Sequence, residues 1–478
     1  GEMARFLGCL LLCLSTVLVL GKTYEPTWES LDTRPTPSWF FENKFYIFIH
    51  WGIFSVPAWA PLGAAAEWYK QYMLAGNQEV LAFHERNYGN RSYAQFAEDF
   101  HAELWDPKDW VDLFERAGAR GIMFTTKHCD GYTHWQSPSK WNYNSVDTGP
   151  HRDVVRDVTD AVRNSSLYLG FYYCDCEWGN PIFPWPQRRS ASSDNINEGW
   201  CQPWPACVEP YVNEVWYPDM IHLATEYKPD MFFNDYGADC GFNSTTLRAR
   251  EMLAWMYNES PNKDNVVMGD RLGYDAICNH SDYFTCQDRY QPQTPQHHLW
   301  MDAMTIGSSW GLNRMEGPEQ YQNSTQLIHI LINNVAYGGV LTLNVGPAAD
   351  GRIIPAQQER LLDMGDWLSV NGAAIYHTKP WREQKQNATG ALPEIYYTLG
   401  KGGEVYAILT AWPTTDEVNL DAPLASGGVV NGSLLTAGAP MTVKVTVHTS
   451  GVTLHLPALR PGQLPCKHAY VVKLEGVK

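Results

Sequence analysis

MFFND, at Met231–Asp235, decides the fold, because it is a short and continuously apolar run that stops at a carboxylate. Five further runs share this shape and stop at polar residues; they are Phe45–Ile49, 121–126, 167–173, 266–268 and Val340–Val345. Continuous apolar runs are typical of parallel strands that are buried on both faces. We therefore expect a parallel barrel with its chemistry at one rim, where the strands end.

Segments with helical spacing alternate with these runs. Asp106 and Pro107 predict an N-cap and a first helical residue, and Gly118 predicts the end of that helix. Further helices are predicted over 213–228, 326–336 and 356–370. This alternation is typical of parallel strands joined by crossover helices, so the pattern predicts an α/β fold with a (β/α)8-like, TIM-type barrel.

The chain has 478 residues, which is too long for one ordinary core and predicts a second domain. From about Glu394 onward apolar and polar residues alternate and glycine-rich turns interrupt them, which is typical of a small antiparallel sheet. We predict a signal peptide at 1–21, the catalytic barrel at 22–380 and a C-terminal antiparallel β-sandwich at 381–478.

The first residues predict entry into the secretory pathway. Arg5 precedes an apolar run over 6–20, which is shorter than the ~20 residues of a membrane-spanning helix and matches a secretory leader. We expect no membrane insertion and a lysosomal or secreted protein. Eight glycosylation sequons agree with that route; they begin at Asn90, Asn164, Asn243, Asn258, Asn279, Asn323, Asn387 and Asn431.

The cysteines predict disulfides rather than a metal site. The chain has 11 cysteines, and removal of Cys9 and Cys13 with the leader leaves an odd number, so at least one thiol is free or pairs between chains. The spacings of Cys174-Asp175-Cys176 and of the pair Cys201 and Cys207 match no common zinc site. We predict no metal, and the pairing of the cysteines stays open.

The amino-acid composition limits the classes of molecule that the protein is expected to bind. A formal net charge of −17 argues against nucleic acid and anionic membranes as partners. The 20 tryptophans suit the faces of sugar rings, although burial in a large core explains most of them individually. We find no glycine-rich loop that would cradle a phosphate, and we expect no cofactor.

Nine short motifs occur in order along the chain. They are FIHWG at 48–52, EWY at 67–69, TKH at 126–128, WNYNS at 141–145, GPHRD at 149–153, YKPD at 227–230, NVGP at 344–347, ERLL at 359–362 and WLSVNG at 367–372. Together they closely resemble the lysosomal-type α-L-fucosidases of glycoside hydrolase family 29, over nearly the whole chain after the leader. The resemblance implies a (β/α)8-type barrel followed by a β-sandwich, in agreement with the pattern of strands and helices.

The resemblance implies retaining hydrolysis of an α-L-fucosyl bond in terminal positions of fucosylated glycans. Such a reaction needs two carboxyl groups about 5 to 5.5 Å apart. Asp235 falls at the position of the nucleophile, although an aspartate that caps the next helix is the simpler alternative. Sugar-binding or orienting roles are implied for further residues, which are His50, Glu67, Trp68, His128, Tyr173 and Arg271. A homo-oligomer is left open.

The departures from the family pattern gather at the expected site. Gln287 stands where similar enzymes carry the acid/base glutamate, and an amide does not exchange a proton near neutral pH. Cys129 replaces a histidine that would contact the sugar, and Phe233 and Leu272 replace tryptophans, so Cys129 and Phe233 are candidate substrate contacts.

Three interpretations of Gln287 remain open. Either another carboxylate, Glu67 or Asp288, serves as the acid, or the protein binds fucose as a lectin-like pseudo-enzyme, or the sequence is in error at position 287. We favour an enzyme in which Glu67 supplies the proton, because Glu67 lies in an intact motif and the nucleophile is retained.

Overall fold

The computed structural model describes residues 22–180, 182, 204–237, 240–390, 392–422, 427 and 429–478. The predicted leader at 1–21 lies outside the described residues, as do Cys201 and the side chain of Cys207. The described part of the chain contains two sheets and two hydrophobic clusters, and residues of the second sheet such as Tyr396 and Ile408 belong to the first cluster.

The first sheet is parallel and has seven strands in the order β5-β4-β3-β2-β1-β7-β6. The strands are β1 (Phe45–Ile49), β2 (Gly121–Lys127), β3 (Tyr168–Cys174), β4 (Met231–Asp235), β5 (Val267–Met268), β6 (Met301–Thr305) and β7 (Val340–Val345). All six predicted runs are confirmed as strands. Strand β6 escaped prediction because Asp302 interrupts its apolar run, yet Asp302 is buried and accepts from Asn334 at 2.9 Å.

A short segment fills the eighth position of the barrel. Tyr283 forms a parallel bridge to Gly269, which follows β5, and Phe284 forms a parallel bridge to Trp300, which precedes β6. Together with the pairing of β1 and β7, these bridges close the sheet in chain order. The predicted (β/α)8-like barrel is confirmed, with one strand reduced to two bridged residues.

The predicted crossover helices are confirmed in position. Asp106 accepts from the Lys108 amide at 2.9 Å and Pro107 is the first helical residue, as the capping pattern predicts. The α-helices are Trp28–Leu31, Ser38–Asn43, Tyr69–Leu74, Gln78–Tyr88, Phe96–Asp99, Pro107–Arg116, Val154–Arg163, Trp204–Tyr211, Tyr217–Glu226, Ala249–Asn258, Ser324–Ala336 and Pro355–Asn371. In the part of the chain that the structure describes, no helix has both the length and the apolar character needed to cross a bilayer.

Shorter helical turns lie mainly in the loops of the barrel. They are a π-helix at Val212–Trp216 and 3-10 turns at Ile53–Ser55, Ala66–Trp68, Tyr93–Gln95, Gly372–Ala374 and Pro461–Gln463. The turn Ala66–Trp68 belongs to the long loop after β1 and carries one candidate catalytic residue, Glu67.

The second sheet is antiparallel, as predicted, and has eight strands in the order β11-β14-β13-β12-β15-β10-β9-β8. They are β8 (Lys379–Gln386), β9 (Ile395–Leu399), β10 (Val405–Leu409), β11 (Glu417–Leu420), β12 (Asn431–Leu434), β13 (Met441–His448), β14 (Gly451–His455) and β15 (Tyr470–Glu475). The indole of Trp367, on the last barrel helix, donates to the Ala469 carbonyl at 2.9 Å. The C-terminal sheet therefore packs against the barrel helices.

Candidate active site

A small cavity lies where the barrel strands end. Ten residues line it, which are Phe48, His50, Glu67, His128, Tyr172, Phe233, Asp235, Tyr236, Asp288 and Trp310. Aromatic walls and several carboxyl and imidazole groups together are the composition expected of a sugar-binding cup.

Asp235, the last residue of β4, is held by two donors. The Arg271 guanidinium donates to Oδ1 at 2.8 Å and the Tyr172 hydroxyl donates to Oδ2 at 2.8 Å. Burial raises the pKa of Asp235 to about 6, although the positive charge of Arg271 and both hydrogen bonds favour the ionised form. Asp235 is thus an oriented carboxylate above pH about 6, which is what a nucleophile requires.

Arg271 is fixed by three partners. Its Nη2 donates to Asp288 at 2.6 Å and its Nε donates to the Thr285 hydroxyl at 2.8 Å, in addition to the contact with Asp235. Thr285 in turn donates to the buried carboxylate of Asp270 at 2.7 Å. The guanidinium therefore has little freedom to leave Asp235.

Glu67 is a second buried carboxyl in the cavity, and its two oxygens differ. The Gly311 amide donates to Oε2 at 2.9 Å and the Ser309 hydroxyl lies 3.0 Å from the same oxygen. Oε1 is buried and has no hydrogen-bond partner among the described residues. Burial raises the pKa of Glu67 to about 7. Because Oε2 already accepts, the proton of the neutral acid belongs on Oε1.

The two carboxyl groups therefore differ in how readily they lose a proton. Asp235 lies against a guanidinium and loses its proton near pH 6, whereas Glu67, which has no cationic partner among the described residues, keeps its proton until about pH 7. Such separation by environment is how one site presents a carboxylate and a carboxylic acid at the same pH.

Two neutral imidazoles face the same cavity. Burial lowers the pKa of His50 to about 4, and burial holds the pKa of His128 well below its usual range. The rings lie 5.9 Å apart, centroid to centroid. Neutral imidazoles offer one donor and one acceptor each, which suits the hydroxyl groups of a sugar.

Comparison with known proteins identifies the family. The model of the α-L-fucosidase family matches residues 12–373, and the model of the α-L-fucosidase C-terminal domain matches residues 384–475. The chain belongs to the α-L-fucosidase family. It is accordingly a glycosidase that removes fucose, and the comparisons favour this enzyme over the fucose-binding protein without turnover.

Relatives and solved structures cover nearly the whole chain. The α-L-fucosidase of Branchiostoma floridae is 39% identical over 475 residues, which are 98% of this chain and 100% of that protein. The tissue α-L-fucosidase of Homo sapiens is 36% identical over 466 residues, 96% of this chain and 93% of its own. The crystal structure of Thermotoga maritima α-fucosidase in complex with fucose superposes with a TM-score of 0.78 at 30% identity and covers 95% of this chain and 100% of its own.

Not every residue proposed from the resemblance to α-L-fucosidases reaches the cavity. His50, Glu67, His128, Phe233 and Asp235 line it, and Arg271 contacts it through Asp235. The Phe233 ring lies 5.0 Å from the Arg271 guanidinium, where a cation–π contact is favourable. Among the described residues, the other candidates lie behind or outside the cavity.

Tyr173 points away from the cavity, and its neighbour Tyr172 takes the place expected for it. The Tyr173 hydroxyl donates to Asp219 at 2.9 Å and accepts from Lys127 at 2.9 Å, in a buried ionic network outside the barrel. Successive side chains of a strand point to opposite faces, so only one of two adjacent tyrosines can reach Asp235. The prediction that Tyr173 reaches the cavity is therefore wrong, and Tyr172 lines the cavity instead.

Cys129 is not available to a ligand either. It forms a disulfide with Cys174 and is fully buried, so it ties the end of β2 to the end of β3. Further disulfides join Cys176 to Cys240 and Cys278 to Cys286, and Cys466 is a free cysteine. Cys129 is therefore part of a covalent link beside His128 and does not line the cavity, so its prediction as a substrate contact is wrong.

Trp68 and Gln287 do not line the cavity either. The Trp68 indole donates to the Tyr236 hydroxyl at 2.8 Å, so Trp68 supports a lining residue instead of lining the cup itself. The Gln287 side chain is exposed and, among the described residues, it is the neighbouring Asp288 that lines the cavity. The residue to which the resemblance assigns the acid position, Gln287, therefore does not line the cavity.

Four lining residues escaped sequence reasoning, which are Phe48, Tyr172, Tyr236 and Trp310. Phe48 precedes His50 by two residues and Tyr236 follows Asp235, so adjacency to the motifs was a usable signal. Trp310 follows the unpredicted strand β6 and had no such signal. Its ring lies 5.1 Å from that of His50.

Proposed function

We propose that the chain hydrolyses terminal α-L-fucosyl bonds with retention of configuration, by double displacement with Asp235 as nucleophile and Glu67 as acid and base. The observation that carries the proposal is that one cavity holds a carboxylate paired with Arg271 and a second carboxyl whose pKa burial raises to about 7.

In the first step, an oxygen of Asp235 forms a bond to the anomeric carbon of fucose while the bond to the leaving oxygen breaks. Glu67 gives the proton of Oε1 to that leaving oxygen. In the second step, ionised Glu67 takes a proton from water, the water oxygen bonds to the anomeric carbon, and Asp235 leaves. Arg271 and Tyr172 hold the carboxylate of Asp235 ready in both steps.

Asp288 is the competing candidate for the acid, because it also lines the cavity. Its carboxylate is paired with Arg271 at 2.6 Å and is 42% exposed, so it is already engaged with the guanidinium. Glu67 is buried and has no cationic partner among the described residues. We assign Asp288 to holding the guanidinium of Arg271.

Fucose hydroxyls would be held by His50 and His128, and the apolar face of the ring would lie on Phe48, Phe233 and Trp310. The hydroxyl groups of a deoxy sugar can hydrogen-bond to neutral imidazoles. Its apolar face and methyl group can pack on aromatic rings.

The test is the configuration of the first product. Proton NMR of an aryl α-L-fucoside during the first minutes of turnover should show α-L-fucose before β-L-fucose appears by mutarotation. Formation of β-L-fucose first would contradict double displacement.

Replacing Gln287 by glutamate should leave kcat/KM unchanged within about twofold, on an aryl fucoside and on a fucosylated oligosaccharide alike. The reason is that this side chain is exposed and the cup is lined by Asp288 instead. The measurement compares both substrates at one pH. A gain confined to the oligosaccharide, whose leaving group needs a proton, would return the acid role to position 287.

The substrates that we propose are fucosylated glycans of glycoproteins, glycolipids or free oligosaccharides, in the lysosome or outside the cell. The relatives include tissue and plasma α-L-fucosidases, which agrees with such compartments. Six of the sequon asparagines are exposed, as glycosylation requires; they are Asn90, Asn164, Asn279, Asn323, Asn387 and Asn431. A homo-oligomer stays a prediction.

A further inference from the structure

We propose that Asn344, at the end of β7, is a positioning residue that connects the sugar-binding His50 to the acid Glu67 through a single peptide group. The inference rests on the proposed function of the cavity. In this role Asn344 determines which His50 nitrogen accepts a hydrogen bond from fucose. It also orients the peptide whose N–H binds Glu67.

The orientation of the Asn344 amide follows from its neighbours. One end of the amide lies 2.7 Å from the Trp310 carbonyl oxygen, which can only accept, so this end is Nδ2. The other end, Oδ1, then faces Nδ1 of His50 at 2.8 Å. Because Oδ1 only accepts, Nδ1 of His50 carries the hydrogen, and Nε2 is the nitrogen with a free lone pair.

The same amide reaches Glu67 through the peptide between Trp310 and Gly311. The carbonyl of that peptide accepts from Asn344, and its N–H donates to Oε2 of Glu67 at 2.9 Å. A side chain at Gly311 would lie 2.8 Å from the Phe54 ring and 3.4 Å from Cβ of Glu67. Glycine therefore lets this peptide approach Glu67.

These contacts form a continuous chain from His50 to Asn344 to the 310–311 peptide to Glu67. The Trp310 carbonyl fixes the orientation of the Asn344 amide, that amide fixes which His50 nitrogen carries the hydrogen, and such chains polarise their members. Asn344 is 1% exposed, so water does not substitute for any of its contacts. Oδ1 of Asn344 keeps the hydrogen of His50 on Nδ1, so Nε2 stays an acceptor. Nδ2 of Asn344 holds the 310–311 peptide, whose N–H occupies Oε2 of Glu67, so the acidic proton stays on Oε1.

The test replaces Asn344 by aspartate, which keeps the shape but removes the donor. A carboxylate beside Nδ1 raises the pKa of His50, so His50 becomes a cation at mildly acid pH and Nε2 loses its lone pair. We expect the dissociation constant of L-fucose, measured by calorimetry, to be about tenfold above that of the unaltered protein at pH 5 and to approach it by pH 8. A ratio that is the same at every pH would overturn the proposal.

Other ionisable groups face His50 across the cavity. They are Glu67 from the loop after β1, His128 after β2, Tyr172 on β3, Asp235 on β4 and Asp288 after the bridged segment. They are present in both proteins, so the ratio of the two dissociation constants at each pH removes their shared contribution.

Asn371 provides the matched control. It is a fully buried asparagine whose amide donates to the Trp367 carbonyl at 3.1 Å, at the end of the last barrel helix. Asn371→Asp introduces the same buried carboxyl without touching the cavity. It should lower the melting temperature and leave the fucose dissociation constant unchanged at every pH.

A second measurement needs no variant at Asn344. Nitrogen-15 NMR of histidine-labelled protein, with His50 assigned by its absence in His50→Gln, should show hydrogen on Nδ1 and a bare Nε2. Hydrogen on Nε2 would overturn the proposal even if Asn344→Asp does not fold. Fucose binding and histidine spectra do not require turnover, so they stay informative if the proposed hydrolysis fails its own test.

Discussion

Replacing Asp235 by asparagine is expected to lower kcat/KM on an aryl α-L-fucoside by roughly 10⁴-fold or more, on the scale seen when a covalent nucleophile is removed. An amide oxygen does not form the glycosyl ester, although it can still accept from Tyr172 or Arg271. The variant should therefore keep its fold and its affinity for fucose. Steady-state kinetics, with the melting temperature measured on the same sample, checks this expectation.

A smaller replacement, Asp235→Gly, identifies the role of the lost carboxylate. Azide should enter the space that the carboxylate leaves, attack the anomeric carbon of an aryl α-L-fucoside from that side and displace the phenolate, with formation of β-L-fucosyl azide. The matched control is Asp288→Asn, which removes the other carboxylate bound to Arg271 and should cost far less activity. Full activity of Asp235→Asn, or a collapse of activity only in Asp288→Asn, would contradict the assignment.

Replacing Glu67 by glutamine is expected to lower kcat on fucosylated oligosaccharides by about 10² to 10⁴-fold. The glutamine oxygen can accept from Gly311 as Oε2 does, so the fold should hold, but the amide has no proton to give. An aryl fucoside with a strongly acidic phenol needs no proton on its leaving group. Formation of the glycosyl-enzyme from that substrate should therefore be nearly unaffected.

The pH profile separates the two carboxyls. Asp235 acts without its proton, so activity should rise as pH passes about 6, and Glu67 acts with its proton, so activity should fall as pH passes about 7. In Glu67→Gln the fall at high pH should disappear and the rise at low pH should remain. A profile of kcat/KM from pH 4 to pH 9, with Asp288→Asn as control, measures both the rise and the fall in activity.

Azide also distinguishes the second carboxyl from the first. In Glu67→Ala, the glycosyl-enzyme still forms from an activated aryl fucoside, and azide then displaces Asp235 from the opposite side of the ring. The product should be α-L-fucosyl azide, the anomer opposite to that from Asp235→Gly. If Glu67→Ala is as active as the unaltered protein on oligosaccharides, Glu67 is not the acid.

The limits of sequence reasoning are clearest at Tyr172 and Tyr173. Strands buried on both faces carry no alternation of polar and apolar residues, so the sequence does not reveal which side chains point into the barrel. The register settles it, because Tyr172 pairs with Phe233 and Cys174 pairs with Asp235 across β3 and β4. A shift by one residue would exchange the two tyrosines.

The disulfide partner of Cys129 could not be predicted from the sequence either. The resemblance marked the position as a departure from the family, but it could not predict the disulfide partner of Cys129. Cys174 lies 45 residues away in the chain and its Cα lies 5.4 Å from that of Cys129. Pairing at such separation depends on the parallel alignment of β2 and β3, which sequence spacing does not report.

The sequence by itself determined the barrel, the C-terminal sheet, the family and the strand end that carries Asp235, because apolar runs, capping residues and ordered motifs are local properties of the chain. Tertiary structure alone decided which carboxyl keeps its proton and which imidazole nitrogen is bare. Those depend on burial and on contacts such as Glu67 with Gly311 and His50 with Asn344, whose partners are 244 and 294 residues apart. Proton affinity is set by such neighbours in space, whatever their distance along the chain.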